Sequence, residues 1–261
     1  MLTALALTLV ALQPSGSRYT RDHSFVEAEV GVFSRDSGIA ISPRIFGRAA
    51  LLPEFAVEVD VPMAFAEAFG SGDYGLGNLN VSGLIRGEVA PGALLEGGLG
   101  VAFGTADFGT AGLGIADAMS GFARRYAYLP GAASVLFPVR LEVQSDDAFY
   151  FDFEAYGGVV AATFGFLDGA FAAFNAEATA GARNRNFEAR LTFGATAFAG
   201  SGLGDGQLYV EPGLRAYGSP EPMSTGSLYA DLSLLMNIDE PGGFAFDEGG
   251  VYGVFIGLGY L

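Results

Sequence analysis

The sequence predicts an all-β fold, a transmembrane up-and-down antiparallel β-barrel of about 12 strands. Three observations predict it. Hydrophobic residues make up 51% of the chain and charged residues only 16%. Even so, no uncharged apolar run after residue 12 is long enough to cross a membrane as a helix. The apolar residues instead occupy every second position in many short segments, which places them on one face of a strand.

Charge and cysteine content narrow the possible functions. Lys and Arg number 13 against 29 Asp and Glu, which gives a formal net charge of -16. Nucleic-acid binding requires clustered basic residues, and no basic run is longer than Arg124-Arg125. Because the chain has no Cys, disulfide bonds and thiolate metal sites are excluded. We expect no nucleic-acid partner, no metal and no cofactor.

The N-terminus has the pattern of an export signal. Residues 2–12 are apolar, and the small residues Ser15 and Ser17 follow them. This stretch suits the hydrophobic region of a secretory signal but is too short to span a membrane. We therefore expect a signal peptide over residues 1–17 and a single barrel domain over residues 18–261. Since no Lys or Arg precedes the stretch, a buried first helix is the alternative.

Strands are predicted wherever apolar and polar residues alternate. Phe55, Val57 and Val59 share one face of their segment, and Glu58 and Asp60 share the other. The predicted strands cover residues 24–33, 40–51, 54–64, 76–87, 93–104, 132–144, 148–160, 169–182, 187–198, 207–217, 227–237 and 249–261. A soluble β-sandwich or lipocalin-like barrel is the alternative, but it would normally carry more charged residues in its turns.

Connection lengths predict how the barrel is oriented. Odd-numbered connections are predicted to span roughly 6, 11, 27, 8, 8 and 11 residues, and even-numbered ones roughly 2, 5, 3, 4 and 9. Outer-membrane barrels have short periplasmic turns and longer external loops. The barrel should therefore begin on the periplasmic side.

Two segments resemble a known family. Residues 52–62 (LPEFAVEVDVP) form an acidic amphipathic segment that ends in Val-Pro, and residues 73–80 (DYGLGNLN) contain Gly-Leu-Gly-Asn-Leu before the next strand. This combination is similar to the outer-membrane channel family named for the meta-pathway of phenol degradation, over about residues 50–105. The resemblance implies a Gram-negative outer-membrane channel for small aromatic or apolar solutes. Such a barrel would contact outer-membrane lipids and, during biogenesis, the barrel-assembly machinery.

The polar face of the strands is the candidate functional surface, because in a membrane barrel it lines the lumen. Its acidic residues are Glu27, Glu29, Glu58, Asp60, Glu96, Glu142, Asp152, Glu154, Glu177, Glu188, Glu211 and Asp231, and its basic residues are Arg44, Arg48, Arg86, Arg140, Arg190 and Arg215. The acidic excess favours a cation-preferring pore. Alternatively, the charges form cross-strand ion pairs that fill a narrow barrel. We expect lipid contact for Val57, Val59, Val139, Leu141, Leu191 and Leu232.

The longest connection, over residues 105–131, contains a helix-like pattern. Ile115, Met119 and Phe122 fall on one side of this helix, and Arg124 and Arg125 close it. Loops of this length in other barrels fold inward as a constriction or gate. We expect either such a gate or an external lid that packs on the rim.

The sequence contains little that suggests catalysis. The single histidine, His23, precedes Ser24, and neighbouring strand residues point to opposite faces, so these two cannot pair as base and nucleophile. The acidic group Asp239, Glu240, Asp247 and Glu248 matches no calcium-loop spacing. We therefore expect no enzyme, but a passive channel for small solutes. A structural or surface-interaction barrel with a plugged lumen is the alternative.

Overall fold

A computed structural model describes most of the predicted barrel. The described residues are 24–35, 38–68, 71–106, 131–144, 148–162, 169–184, 186–199, 206–218, 227–239 and 252–260. The predicted signal peptide, His23 and the predicted gate residues Ile115, Met119, Phe122, Arg124 and Arg125 lie outside them. Among the residues that are described, none belongs to a helix long and apolar enough to cross a membrane.

The described chain forms antiparallel strands that close into a ring. They are β1 (Phe25–Arg35), β2 (Gly38–Leu52), β3 (Phe55–Ala68), β4 (Ser71–Leu76), β5 (Leu79–Ala90), β6 (Ala93–Phe103), β7 (Ala132–Gln144), β8 (Phe149–Ala162), β9 (Gly169–Arg183), β10 (Phe187–Ala199), β11 (Gln207–Tyr217), β12 (Leu228–Asn237) and β13 (Tyr252–Tyr260). Apart from β4 and β5, which both pair with β3, sequential neighbours pair, and β1 also pairs with β13, so the sheet closes on itself. Closure pairs the backbone groups that an open edge would leave exposed in lipid.

β4 and β5 together occupy one position in the barrel wall. Both pair with β3, on either side of a break at Gly77 and Asn78. The Gly77 amide donates a hydrogen bond of 2.7 Å to the Pro62 carbonyl, which keeps the chain attached to β3 across the break. The barrel therefore has the predicted twelve positions around its wall, and one of them is split between two strands.

The loop pattern differs from the prediction at two connections. We call the end where β1 begins and β13 ends the turn end, and the opposite end the loop end. β2 begins at Gly38, three residues after β1 ends at Arg35, and β4 begins at Ser71, three residues after β3 ends at Ala68. These connections, predicted at roughly 6 and 11 residues, are therefore mostly strand. Beyond the lipid both faces of a strand meet water, so alternation no longer marks where the strand ends.

Most turns at the turn end are short, although residues 218–227 connect β11 and β12 there. β2 and β3 are separated by Pro53 and Glu54, and β5 and β6 by Pro91 and Gly92. Gly92 adopts a φ of 75°, in the left-handed region that favours glycine. The Gly92 carbonyl also accepts a 2.9 Å hydrogen bond from the Gln144 amide, which joins this turn to β7.

The exterior of the barrel is apolar. Along β7, outward residues are exposed and inward residues are buried in strict alternation over most of the strand. Phe151, Phe187 and Leu258 are 62%, 62% and 66% exposed, and large apolar side chains of every other long strand share this surface. A continuous apolar exterior of this kind is unfavourable in water and typical of a lipid-facing barrel. Val59 also points outward but is only 9% exposed, because other protein atoms cover it.

Candidate functional site in the barrel interior

The charged residues predicted on the polar face all lie on inward strand positions and are at most 9% exposed. Their inward direction follows from contacts between strands that are not neighbours. Arg48 of β2 bonds to Glu96 of β6, and Arg140 of β7 bonds to Glu58 of β3. Such contacts can form only across the concave side of the sheet. Arg183, which was not predicted, joins this set because β9 ends one residue later than expected.

Two arginines and three carboxylates form one cluster, which we call the arginine cluster: Arg48, Glu58, Glu96, Arg140 and Glu154. Arg48 bonds to Glu58 at 2.8 Å and also to Glu96. Arg140 lies 2.8 Å from Glu58, 2.9 Å from Glu96 and 2.9 Å from Glu154. The cluster therefore ties together strands β2, β3, β6, β7 and β8. Planar guanidinium groups suit this role because each can bond to several carboxylates at once.

Arg44 and Arg86 make separate contacts beside this cluster. Arg44 bonds to both oxygens of Asp60, at 2.6 and 3.2 Å, and lies 5.2 Å from the centre of the Phe46 ring. Glu29 is a weaker partner at 3.9 Å. Arg86 donates a 2.6 Å hydrogen bond to the carbonyl of Pro53 in the β2–β3 turn.

The opposite wall carries a second cluster, centred on Asp231. Arg190 bonds to both oxygens of Asp231, at 2.8 and 2.7 Å, and Arg215 bonds to it at 2.8 Å. The Arg215 guanidinium also lies 4.5 Å from the centre of the Tyr229 ring, at a distance typical of a cation–π contact. Glu188 accepts hydrogen bonds from two tyrosine hydroxyls, those of Tyr150 at 2.8 Å and Tyr217 at 2.9 Å.

Tyrosines cross over glycines to reach carboxylates two strands away. Tyr229 of β12 pairs in register with Gly259 of β13, which pairs with Glu27 of β1. The ring lies where a Gly259 side chain would be, and its hydroxyl donates a 2.5 Å hydrogen bond to Glu27. The same arrangement recurs in Tyr209–Gly194–Glu177. Tyr150 likewise lies over Gly181 and bonds to Glu188, but Gly181 pairs in register with Arg190. Glycine is required here because a Cβ would overlap the ring.

Glu177 and Glu211 accept hydrogen bonds from neutral groups. Glu154 and Glu177 are directly opposite in the β8–β9 register. Glu177 accepts hydrogen bonds from Asn175, at 3.0 Å, and from Tyr209, while Glu211 accepts one of 2.6 Å from Ser233. Each of these two glutamates keeps one buried oxygen without a hydrogen-bond partner. Neither of these two glutamates therefore accepts a hydrogen bond from arginine among those described.

The interior changes from charged to neutral toward the loop end. Toward the loop end, seven strands each carry a neutral polar inward residue: Ser42, Asn80, Ser134, Asn175, Thr196, Gln207 and Asn237. None of the described inward charges lies closer to the loop end than these residues on the same strand. A solute that entered from the loop end would meet neutral groups before charged ones.

The two ends of the longest connection are attached beside the break between β4 and β5. The Thr105 hydroxyl donates a 2.5 Å hydrogen bond to the Gly77 carbonyl and accepts one of 2.9 Å from the Leu79 amide. The Asn78 side chain accepts a 3.1 Å hydrogen bond from the Ala106 amide, and the Ala106 carbonyl accepts one of 3.0 Å from Gly131. The connection therefore starts and returns over the β5–β6–β7 wall.

The acidic group near the last connection is described only at Asp239, and Glu240, Asp247 and Glu248 lie outside the described residues. Asp239 accepts hydrogen bonds of 2.6 Å from the Gln207 side chain and 2.7 Å from the Leu208 amide, so it holds the end of β11. Across the part of the chain that the structure describes, no group of three or more His, Cys, Asp or Glu converges as metal ligands would.

Comparison with solved structures identifies outer-membrane barrels of the same architecture. An outer membrane channel of Pseudomonas putida F1 aligns with a TM-score of 0.59 at 9% identity, over 91% of this chain and 94% of that one. The NanC porin aligns with a TM-score of 0.58 at 9% identity (90% and 99% covered), and the KdgM porin with 0.52 at 6% (90% and 98% covered). No protein-family model and no curated protein sequence matches the chain. At these identities the likeness shows a shared fold, and the closed, apolar-faced barrel belongs in an outer membrane.

Proposed function

We propose that this barrel is a non-enzymatic outer-membrane channel for the passive passage of small solutes. The observation that carries the proposal is the large set of charged and polar side chains that point inward within a closed, lipid-facing wall, beside apolar ones such as Leu84, Leu136 and Phe255. A barrel that served only as a membrane anchor could fill its interior with apolar side chains, as small barrels often do. We further propose export by the N-terminal segment and a periplasmic turn end, because export signals and short periplasmic turns accompany such barrels.

We propose that the lumen favours cations over anions. The described interior carries twelve acidic residues and seven arginines. Most of the arginines bond to carboxylates, either within the arginine cluster or to Asp60 and Asp231. In contrast, the described hydrogen bonds of Glu177 and Glu211 come only from neutral groups. Acidic side chains along a pore raise the local concentration of cations and repel anions.

Two observations bear on the class of solute, and they favour different classes. The family that residues 52–62 and 73–80 resemble implies small aromatic or apolar solutes. In this structure the first of these segments forms the β2–β3 turn with much of β3, and the second forms β4, the break and the start of β5. The hydrogen-bonding groups of the described interior favour hydrophilic solutes instead.

Planar-bilayer recording tests the channel proposal directly. We expect refolded barrels to insert and give discrete conductance steps in KCl. Swelling of liposomes that contain the protein, in glycerol, arabinose or a soluble aromatic alcohol, would then rank the solute classes. Correctly folded, heat-modifiable barrels that give no step above background would contradict the proposal.

A plugged structural barrel is the second candidate, and one observation favours it. Except for Glu88 and Gln144 at the turn-end rim, the charged and polar inward side chains of the described strands are at most 9% exposed. With the interior in this state there is no continuous water path beside those residues. In an open channel the ion-pair clusters must separate enough to admit water and ions, whereas in a plugged barrel they stay together. Only the open channel would give conductance steps in the bilayer recording.

A further inference from the structure

Three inward side chains near the loop end have no hydrogen-bond partner. Asn80, Ser82 and Ser134 are 0%, 1% and 2% exposed. Within the described part of the chain, neither the amide of Asn80 nor the hydroxyls of Ser82 and Ser134 makes a hydrogen bond. Buried polar side chains in proteins are nearly always hydrogen-bonded, so several unbonded ones in one place require an explanation. We call these three residues the Asn80 cluster.

The three side chains belong to one patch of the wall. Asn80 of β5 pairs in register with Ala102 of β6, which pairs with Ser134 of β7. Ser82 pairs with Gly100, the next inward position of β6. A Cβ on Gly100 would lie 2.5 Å from the Ser82 hydroxyl and 3.6 Å from the Asn80 oxygen. The inward positions of β6 between these strands are therefore small: the methyl group of Ala102 and Gly100 are all that separate Asn80 and Ser82 of β5 from Ser134 of β7.

The Asn80 cluster is chemically neutral. Asp60 is opposite Asn80 in the β3–β5 register, but Arg44 bonds to both oxygens of Asp60. The cluster itself combines an amide, which has two donors and an acceptor, with two hydroxyls that each donate one bond and accept others. A solute that has several hydroxyl groups offers the complementary mixture of donors and acceptors. An ion would find no opposite charge in the cluster.

The position of the cluster suits a solute that enters from the loop end. Asn80 is two residues from Asn78, which holds Ala106 at the start of the longest connection. The arginine cluster lies further along the same wall toward the turn end, and its charges already satisfy one another. Among the described residues of this wall, the unbonded groups nearest the loop end are therefore those of the Asn80 cluster.

We propose that the Asn80 cluster is a binding subsite for a neutral, hydroxyl-bearing small molecule, such as a polyol or monosaccharide. The proposal rests on the channel function above. The solute would supply the partners that the three side chains lack, and they would have no internal hydrogen bond to break when they turn toward it. The subsite would slow and orient such solutes before the charged part of the lumen.

Block of the potassium current by D-arabinose tests the subsite. In wild-type channels we expect arabinose to reduce the KCl current reversibly and saturably. The combined substitution Asn80→Leu, Ser82→Ala and Ser134→Ala should weaken this block about tenfold, which corresponds to the loss of one or two hydrogen bonds to the sugar. Conductance in KCl alone should change much less, because the three residues are uncharged. Asn80→Leu alone should give a smaller effect in the same direction.

The control is Thr179→Val with Thr192→Val, which removes two inward hydroxyls that bond to each other at 2.8 Å. We expect arabinose to block this variant as it blocks the wild type. Conductance steps without any block by arabinose, or equal block in wild type and triple variant, would overturn the subsite but not the channel. A folded wild-type barrel without conductance steps would instead overturn the channel, and the subsite with it.

Discussion

At the scale of the residue, Arg140 contacts three carboxylates of the interior at once. It lies within 2.9 Å of carboxylate oxygens of Glu58, Glu96 and Glu154. All three carboxylates are at most 4% exposed, so water cannot replace the guanidinium. A buried ion pair adds little stability compared with apolar packing, but removal of one partner leaves the other charge uncompensated.

Arg140→Ala should therefore destabilise the barrel by about 3–5 kcal/mol, because three buried carboxylates lose a shared partner. Arg140→Lys should recover only part of this loss, since one ammonium cannot bond to all three. Urea unfolding from lipid vesicles, followed by tyrosine fluorescence and by gel mobility before and after heating, measures both. Equal stability of Arg140→Ala and wild type would show that the interior is hydrated around Arg140.

The outward face offers a second residue-scale test. Val139 is 47% exposed near the middle of β7, whereas Val59 is covered. Val139→Arg should cost about 2–4 kcal/mol if it lies at the membrane midplane, and Val139→Leu close to nothing. Val59→Arg would place a charge among packed protein atoms, so a loss of stability there would not report on lipid. Val139 is therefore the position that tests lipid contact. The same vesicle unfolding assay applies, and similar stability of the arginine and leucine variants at Val139 would contradict a lipid-facing β7.

At the scale of the element, the closure between β1 and β13 depends on side chains as well as on the backbone ladder. The Tyr229 ring lies over Gly259 of β13 and bonds to Glu27 of β1, so it ties the last two strands to the first. Arg215 adds an ion pair of 3.9 Å to Glu27 from β11. The first and last strands are the slowest to meet, because the whole chain separates them.

Gly259→Val should weaken this closure. The added side chain would displace the Tyr229 ring and break its bond to Glu27, at a cost of about 1–3 kcal/mol. Slower refolding into vesicles should accompany the loss, since closure joins the two ends of the chain. Gly87→Val is the matched control, because a Cβ on Gly87 meets nothing within 4 Å. Identical refolding and unfolding of the two variants would rule out the tyrosine–glycine contact as part of the closure.

The longest connection gives another test at this scale. Thr105, Ala106 and Gly131 hold its two ends against the wall, so a deletion of residues 108–124 leaves these attachments in place. If Ile115, Met119 and Phe122 fold into the lumen, the deletion should raise single-channel conductance. Cation preference should fall only slightly, because the wall keeps its carboxylates. Unchanged conductance in a folded, heat-modifiable variant would assign the segment to an external lid.

At the scale of the whole molecule, charge is distributed unevenly over the interior. The wall from β2 to β8 holds carboxylates that are bonded to arginines, whereas Glu177 and Glu211 on β9 and β11 bond to neutral groups. Toward the loop end, the described inward residues are neutral polar or apolar. The excess of acidic charge should therefore act mainly from the turn-end half of the lumen.

Reversal potentials in a KCl gradient should show preference for potassium, and the preference should weaken at high salt as screening shortens the reach of the carboxylates. Glu177→Gln with Glu211→Gln should reduce the preference, since these two groups lack arginine partners in the hydrogen bonds found. Thr179→Val with Thr192→Val is the uncharged control, because these two inward hydroxyls bond to each other. Preference for chloride would mean that the arginines, and not the acids, face the conducting path.

The alternation of the sequence by itself determined which side of each strand faces the lumen and which faces lipid. Side chains point to opposite faces at successive residues, so this assignment is local and needs no knowledge of strand partners. The same pattern located twelve strands, and the fold confirms them as the twelve positions of the wall. It could not locate the added length at Arg35 and Ala68, because alternation ceases to be required outside the lipid.

Only the tertiary structure decided which groups meet inside the barrel. Arg48 and Glu96 are 48 residues apart in sequence and belong to strands that are not neighbours. Their contact depends on the curvature of the closed sheet and the stagger of its strands, which alternation does not encode. The same holds for Asn80, Ser82 and Ser134. In the sequence they are ordinary inward polar residues, and only the packed interior shows that each lacks a partner.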